Sequence, residues 1–452
     1  HPTFGGIFFT TPAVSEREAS LEISNELVNT ASKELTVTVT NTLLDAEKSP
    51  VCSLSASALI PAGEKALLVT SGQLASPHLW SPDMPYLYTL STQISFQSSF
   101  LGQTPQTFTS VADTQRVGIR SILFDADKGF FLNGVPALFK GVCLHHDAGV
   151  LGAAVYKEVW QRRLSKLKAM GCNAIRMSHN PHMPELYELC DEMGFLVMDE
   201  AFDEWEGPKN KWWQGHNVYP PRNQGYYTAF PQWHEKDLTD LILRDRNHPS
   251  IVMWSIGNEV LEQWSDAKAD TMSLEEANLI LNFGHSADML AKGDEMSVNS
   301  LLTKKLADMV KELDATRSVT AGCNEPNPKN HLFRSGALDI IGYNYHNKNV
   351  VEVPKNFPGY PFLLTESNSA LMTRGYYRMP SDTVFVWPAR WDKPFHDESF
   401  SCSSYENCHV PWGNTHEETL KLIKKNDFIS GQYIWTGFDY IGEPTPYGWP
   451  AR

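Results

Sequence analysis

The chain has 452 residues, 42% of them hydrophobic and 20% charged, a balance that excludes disorder, collagen and coiled coil for the chain as a whole. With 38 Lys and Arg against 53 Asp and Glu, the formal charge is −15; an acidic surface repels phosphate backbones and argues against nucleic acid as a partner. No apolar run reaches the ~18 residues of a spanning helix, so no membrane partner is expected.

Residues His1 to Ser15 lack both the basic start and the long apolar stretch of a signal peptide, and there is no initiating Met. This predicts a processed or truncated chain, consistent with export to the periplasm or exterior of a bacterium. From residue 13 to 124 the pattern is β. Leu35, Val37 and Val39 alternate with Thr36, Thr38 and Thr40, and Thr89 to Phe96 alternates similarly. Ser, Thr, Pro and Gly clusters punctuate these runs, which predicts an antiparallel sandwich.

Beyond Asp125, short apolar runs alternate with amphipathic helices. Strands are predicted at Leu138–Leu144, Asn173–Met177, Phe195–Met198, Ile251–Ile256, Ser318–Ala321, Ile340–Tyr343, Phe362–Thr365 and Tyr433–Trp435. Helices are predicted at Val155–Met170, Pro184–Met193, Trp233–Leu243 and Leu301–Leu313. Eight strands so separated indicate an α/β fold, a (β/α)8 barrel over 125–452. An open doubly wound sheet is the alternative, but no G-x-G-x-x-G follows a strand.

The site of such a barrel lies where its strands end. Those ends carry His145, His146 and Asp147; Arg176, Ser178, His179 and Asn180; Asp199, Glu200, Asp203 and Glu204; Asn258 and Glu259; Asn344, Tyr345 and His346; Glu366; and Trp435 and Asp439. Glu259 and Glu366 each follow an apolar run, on strands four and seven, which face each other across a small barrel. Two carboxyl groups about 5–5.5 Å apart suit a retaining glycosidase. Glu366 would then be the nucleophile and Glu259 the acid/base. Asn258 would meet the 2-hydroxyl, Trp435 would floor the sugar, and Arg176 would keep Glu366 ionised. His179 reads equally as a structural histidine and as a substrate contact, and His146 is assigned with the contacts. His146, Asp203 and Glu204 do not have the spacing of a metal site, and neither metal nor cofactor is expected. Of seven Cys, Cys402 and Cys408 are close enough in sequence to pair, while the others read mostly as small buried hydrophobes.

Trp254-Ser255-Ile256-Gly257-Asn258-Glu259 resembles the acid/base signature of glycoside hydrolase family 2, which includes β-galactosidases, β-glucuronidases and β-mannosidases. Asn173 to Pro181 is similar to its second-strand motif, Phe195 to Glu204 to its third, and Phe139-Lys140-Gly141-Val142 to its first. Leu79 to Tyr88 is similar to the strand pair closing its immunoglobulin-like domain. The resemblance implies a remnant of a preceding jelly-roll domain over 1–12, an immunoglobulin-like sandwich over 13–124 and a catalytic barrel over 125–452. It makes Glu259 the acid/base and Glu366 the nucleophile, with Asn258, His179, Tyr345 and Trp435 as sugar contacts; Tyr343 and His346 compete with Tyr345 for that place. Glu206 stands where larger β-galactosidases put a magnesium-binding His, which argues against that metal. The implied activity is that of a retaining exo-β-glycosidase on oligosaccharides or glycosides. The stretch Ile434 to Tyr440 with Gly442-Glu443-Pro444 looks most like bacterial β-galactosidases. β-Glucuronidase or β-mannosidase activity, and a non-catalytic carbohydrate-binding protein, are the competing readings; assembly into a homo-oligomer is left open.

Overall fold

The computed structural model describes residues 6–98, 106–205, 209, 225–260, 298–390, 397–399 and 401–439. Glu206 and the stretch from Tyr440 onward, both used in the sequence reading, lie outside the described residues.

Seven strands build a sandwich: β1 (Ile7–Thr10), β2 (Glu18–Val28), β3 (Leu35–Leu44), β4 (Pro50–Ile60), β5 (Lys65–Ala75), β6 (Tyr88–Ser98) and β7 (Gln106–Val117). They form two antiparallel sheets, ordered β1-β2-β5 and β4-β3-β6-β7. The alternation on β3 sends Val37, Val39 and Leu43 inward, while Thr38, Thr40 and Thr42 pair outside with Ser57, Ser55 and Ser53. Asn41 is the buried exception. Its amide donates to Thr70 of β5 and accepts from Thr92 of β6, so a satisfied polar bridge ties the two sheets together. Residues 7–10, assigned from sequence to the end of a preceding domain, run antiparallel to β2 as a strand of this sandwich.

Strands β8 (Ile122–Asp125), β9 (Gly129–Leu132) and β10 (Val135–Ala137) form a small sheet that plugs the base of the barrel. Phe130 packs on Phe139 with ring centroids 4.5 Å apart. Fully buried Trp80, in the Leu79–Tyr88 segment, belongs to the same apolar cluster and donates its indole N–H to the Asp191 carbonyl at 2.9 Å. Arg120 adds bonds to the Pro249 and Ile251 carbonyls at 2.6 and 2.7 Å. The sandwich is thereby anchored to the base of the barrel, away from the strand ends that matter for chemistry.

The barrel strands are β11 (Phe139–Leu144), β12 (Ala174–Met177), β13 (Leu196–Glu200), β14 (Ile251–Asn258), β15 (Ser318–Gly322), β16 (Ile341–Asn344) and β17 (Phe362–Asn368). After three two-residue strands, β18 (Ala370–Leu371), β19 (Phe385–Val386) and β20 (Cys408–His409), comes the last barrel strand, β21 (Ile429–Trp435). The parallel order β15-β14-β13-β12-β11-β21-β17-β16 closes through the Cys323–Tyr343 bridge, so the sheet is a barrel and not the open alternative. Strands covered on both faces carry near-continuous apolar runs, which is why they stand out in the sequence. Helices Lys157–Ala169, Pro184–Met193, Phe230–Asp245 and Val298–Leu313 cover the outside. Gly194 ends the second of these at φ +73°, and a side chain there would strike the Pro82 carbonyl, so glycine is required twice over. Cys143, Cys172, Cys190 and Cys323 are buried as expected; Cys402 and Cys408 are free thiols in a small apolar cluster with Trp387.

Candidate active site

Side chains alternate along each barrel strand, so one parity faces the axis. Phe139, Leu196, Met253, Leu363 and Tyr433 fill the lower interior. Above them the same inward positions turn polar: Arg176, Glu200, Ser255, Asn344 and Thr365 are all buried. Buried charge is costly unless paired, and the pairing here is dense.

Arg176 is its centre. The guanidinium is fully buried. Nε and Nη2 donate to Glu200 at 2.8–3.0 Å, and Nη1 donates to Glu366 Oε1 at 2.6 Å and to the Thr365 carbonyl at 3.1 Å. Nη2 also donates to Asn258 Oδ1 at 2.9 Å. Asn344 continues the chain, its amide Nδ2 donating to Asn258 Oδ1 and to Glu259 Oε1, each at 2.9 Å. Glu366 and Glu259 are therefore joined through one guanidinium and two amides, where the barrel strands end. Burial pushes the Glu366 carboxyl above the usual range, and the adjacent Arg176 pulls against that rise. Glu200 ends lower than usual because Arg176, His179 and Ser255 together outweigh its burial.

His179, Trp435 and His145 form an aromatic corner beside Glu366. His179 lies parallel to Trp435 at 5.4 Å, and His145 stands edge-on to both rings. His179 Nε2 is 3.7 Å from Glu366 Oε1. The Tyr345 hydroxyl faces Glu366 and pairs with Ser369 at 3.1 Å. Of the two residues competing with Tyr345, Tyr343 points outward, its hydroxyl on the Pro326 carbonyl, and His346 bonds the Asn324 carbonyl. The peptide bonds Ser178–His179 and Trp435–Thr436 are cis.

His146 is a correction. It is outside this cluster, packed between Trp160 and His182 in the helix layer. The inward parity of Phe139, Gly141 and Cys143 continues to His145, so the neighbouring histidine takes the place expected for His146. The same parity count would have singled out Glu200, which the sequence reading named only as a strand end, over Asp199, which faces outward to Tyr187. Asp203 lies near Asn258 and pairs with Lys209, while Glu204 accepts backbone N–H groups of Lys209 and Tyr227. Neither is gathered with His146, and among the described residues no group of three or more His, Cys, Asp or Glu side chains is placed to hold a metal ion. Also among the described residues, a cavity of about 480 Å³ borders His145, His179 and Asp203 and runs outward to Tyr226 and Leu241.

Close packing around Arg176 leaves no room for a side chain at position 322. A Cβ on Gly322 would lie 2.5 Å from Arg176 Nη2 and 3.0 Å from Asn344 Oδ1. Gly322→Ala should therefore displace the guanidinium and lower turnover about 100-fold, the usual penalty for an ångström-scale misplacement. Wild-type kcat in that variant would mean that the position of Arg176 does not matter.

A family model described as glycosyl hydrolases family 2, TIM barrel domain, matches residues 125–441, and one described as glycosyl hydrolases family 2 matches residues 6–120. The chain is similar to the β-galactosidase BoGH2A of Bacteroides ovatus, at 60% identity over 99% of this chain and 50% of that protein. It is 31% identical to a putative β-glucuronidase of Formosa agariphila over 97% of this chain and 37% of that protein. The crystal structure of a β-glycosidase from Bacteroides vulgatus matches 99% of this chain and 50% of its own, with a TM-score of 0.71 and 30% identity. The chain thus spans half or less of the length of these proteins.

Proposed function

Since the chain belongs to glycoside hydrolase family 2, we propose that it removes terminal β-linked sugars with retention of configuration, and that its preferred substrates are β-galactosides. The observation that carries this reading is the hydrogen-bonded chain Glu366–Arg176–Asn258–Asn344–Glu259. Glu366 attacks the anomeric carbon and forms a glycosyl ester, while Glu259 protonates the departing oxygen. Glu259 then takes a proton from the water that breaks the ester. Arg176 opposes the burial that would otherwise protonate Glu366. Asn258 spends its carbonyl on Arg176 and Asn344 and one N–H on Asp203, which leaves a second N–H for the 2-hydroxyl. His179, Tyr345 and Trp435 line the sugar's side of Glu366. The preference for galactose rests on the 60% identity to the Bacteroides ovatus β-galactosidase.

An aryl-glycoside panel on the purified full-length protein tests the proposal. Turnover of the β-galactoside ahead of the β-glucuronide and β-mannoside is expected. A faster β-glucuronide would replace the sugar, and inactivity on all three would remove the hydrolase reading in favour of a carbohydrate-binding protein.

A further inference from the structure

We infer that Glu200 is a positioning residue for this reaction: it sets how much of Arg176's charge reaches Glu366, and it fixes which nitrogen of His179 faces the sugar. The inference rests on the reading of Glu366 as nucleophile. Glu200 is fully buried at the end of β13, and its two oxygens are saturated. Oε2 accepts from Arg176 Nε at 3.0 Å, Arg176 Nη2 at 2.8 Å and Ser255 Oγ at 2.6 Å. Oε1 pairs with Arg176 Nη2 at 3.0 Å and His179 Nδ1 at 2.7 Å. A carboxylate offers about four lone-pair sites, so none is left for a sugar hydroxyl. Glu200 therefore acts through its neighbours.

Two consequences follow from its chemistry. First, an ionised carboxylate only accepts, so the proton on a neutral His179 must sit on Nδ1. Nε2 is then bare where it lies 3.7 Å from Glu366 Oε1, and it can accept a sugar hydroxyl. The opposite tautomer would aim an N–H at Glu366 and draw on the charge needed for attack. Second, one guanidinium serves two carboxylates. With Glu200 absorbing part of its positive charge, Arg176 favours the ionised form of Glu366 without stripping its basicity. The other groups facing Glu366 are His179 from the loop after β12, Tyr345 from the end of β16 and Glu259 from the end of β14. Cys143 of β11 faces Arg176, and burial keeps its thiol neutral. Among these groups Glu200 is the negative charge bonded to Arg176 besides Glu366.

The test is the pH dependence of kcat/KM on an aryl β-galactoside, whose acid limb reports ionisation of the essential base in the free enzyme. In full-length Glu200→Gln, Arg176 turns its whole charge on Glu366. The acid limb should move to lower pH by about one unit, the scale of a neighbouring-charge effect. The rate at neutral pH should fall about 100-fold as Arg176 and His179 lose their anchor. Glu200→Asp keeps the charge but shortens the reach, so its rate should fall with the limb in place. A wild-type limb in Glu200→Gln makes the residue merely structural and overturns the inference. So does a limb that moves equally in both variants. If Glu200→Gln does not fold, Glu200→Asp decides: full wild-type turnover there overturns the positioning role. A wild-type protein inactive on every β-glycoside tested would instead overturn the reading of the site as a whole.

Discussion

Replacing Glu366 with alanine should lower turnover of an activated aryl β-galactoside by roughly four to six orders of magnitude, the range seen when a covalent nucleophile is removed. Azide should restore part of it. The anion is small enough to occupy the space of the missing carboxylate, and it would attack the anomeric carbon from the same side as Glu366. The product would be the α-glycosyl azide, inverted relative to the substrate. Glu259→Ala should behave in the opposite sense. With a good leaving group, the ester on Glu366 still forms, but no base activates water to break it. Azide then attacks the ester from the face the leaving group vacated and yields the β-glycosyl azide. The two products, read by the coupling of the anomeric proton, assign the roles independently of rate. An exchange of the two configurations would exchange the roles. Ordinary turnover in Glu366→Ala would end the double-displacement reading.

The strands of this barrel are legible because they are buried on both faces and so read as apolar runs with polar ends. Strict alternation then assigns much of the interior: Cys143, Arg176 and Glu200 share parity with Phe139, Ala174 and Leu196 below them. What alternation cannot give is the aim of residues past an irregularity. The β14–β15 register shifts between Ser255 and Asn258. That shift lets Asn258 reach Arg176 although Trp254 and Ile256, of the same parity, pack outward. The β17 pairings shift again around Leu364 to Ser367, and Glu366 turns inward although Leu364 packs outward. Bulges at the rims of barrels re-aim side chains in this way. Tyr345 is a third instance. It shares parity with the outward Tyr343, yet the strand ends in a left-handed turn, with φ of +63° at Tyr345, and the side chain faces Glu366. Propensity and periodicity carry no signal for these local departures, so the choice among Tyr343, Tyr345 and His346 stays open on sequence alone. The choice of His146 over His145 is different in kind: strand β11 is regular, and counting inward positions from Phe139 would have pointed to His145, the histidine that stands beside His179 and Trp435.

Arg176→Met should cost both activity and fold. The side chain is fully buried between two carboxylates, Glu200 and Glu366, and removing it leaves both without their shared partner. Breaking a buried ion pair from one side costs about 3–5 kcal/mol, because the remaining charge stays desolvated. Methionine fills much of the volume, so the loss reflects charge more than a cavity. The pH dependence separates the two causes. In the wild type, Glu200 titrates below its ordinary value, so its contribution to stability is present above the unfolded pKa and fades as the pH falls through the folded one. In Arg176→Met, burial dominates both carboxyls and lifts their folded values above the unfolded ones. The folded state then binds more protons than the unfolded state, and stability rises on acidification. Denaturant unfolding of the two proteins should therefore differ most near neutral pH, and the gap should narrow toward about pH 4, where carboxyls protonate. A gap independent of pH would mean that lost packing, and not the unpaired carboxylates, destabilises the variant. Activity should not return with acidification, since Glu366 is protonated under the conditions that relieve the strain on the fold.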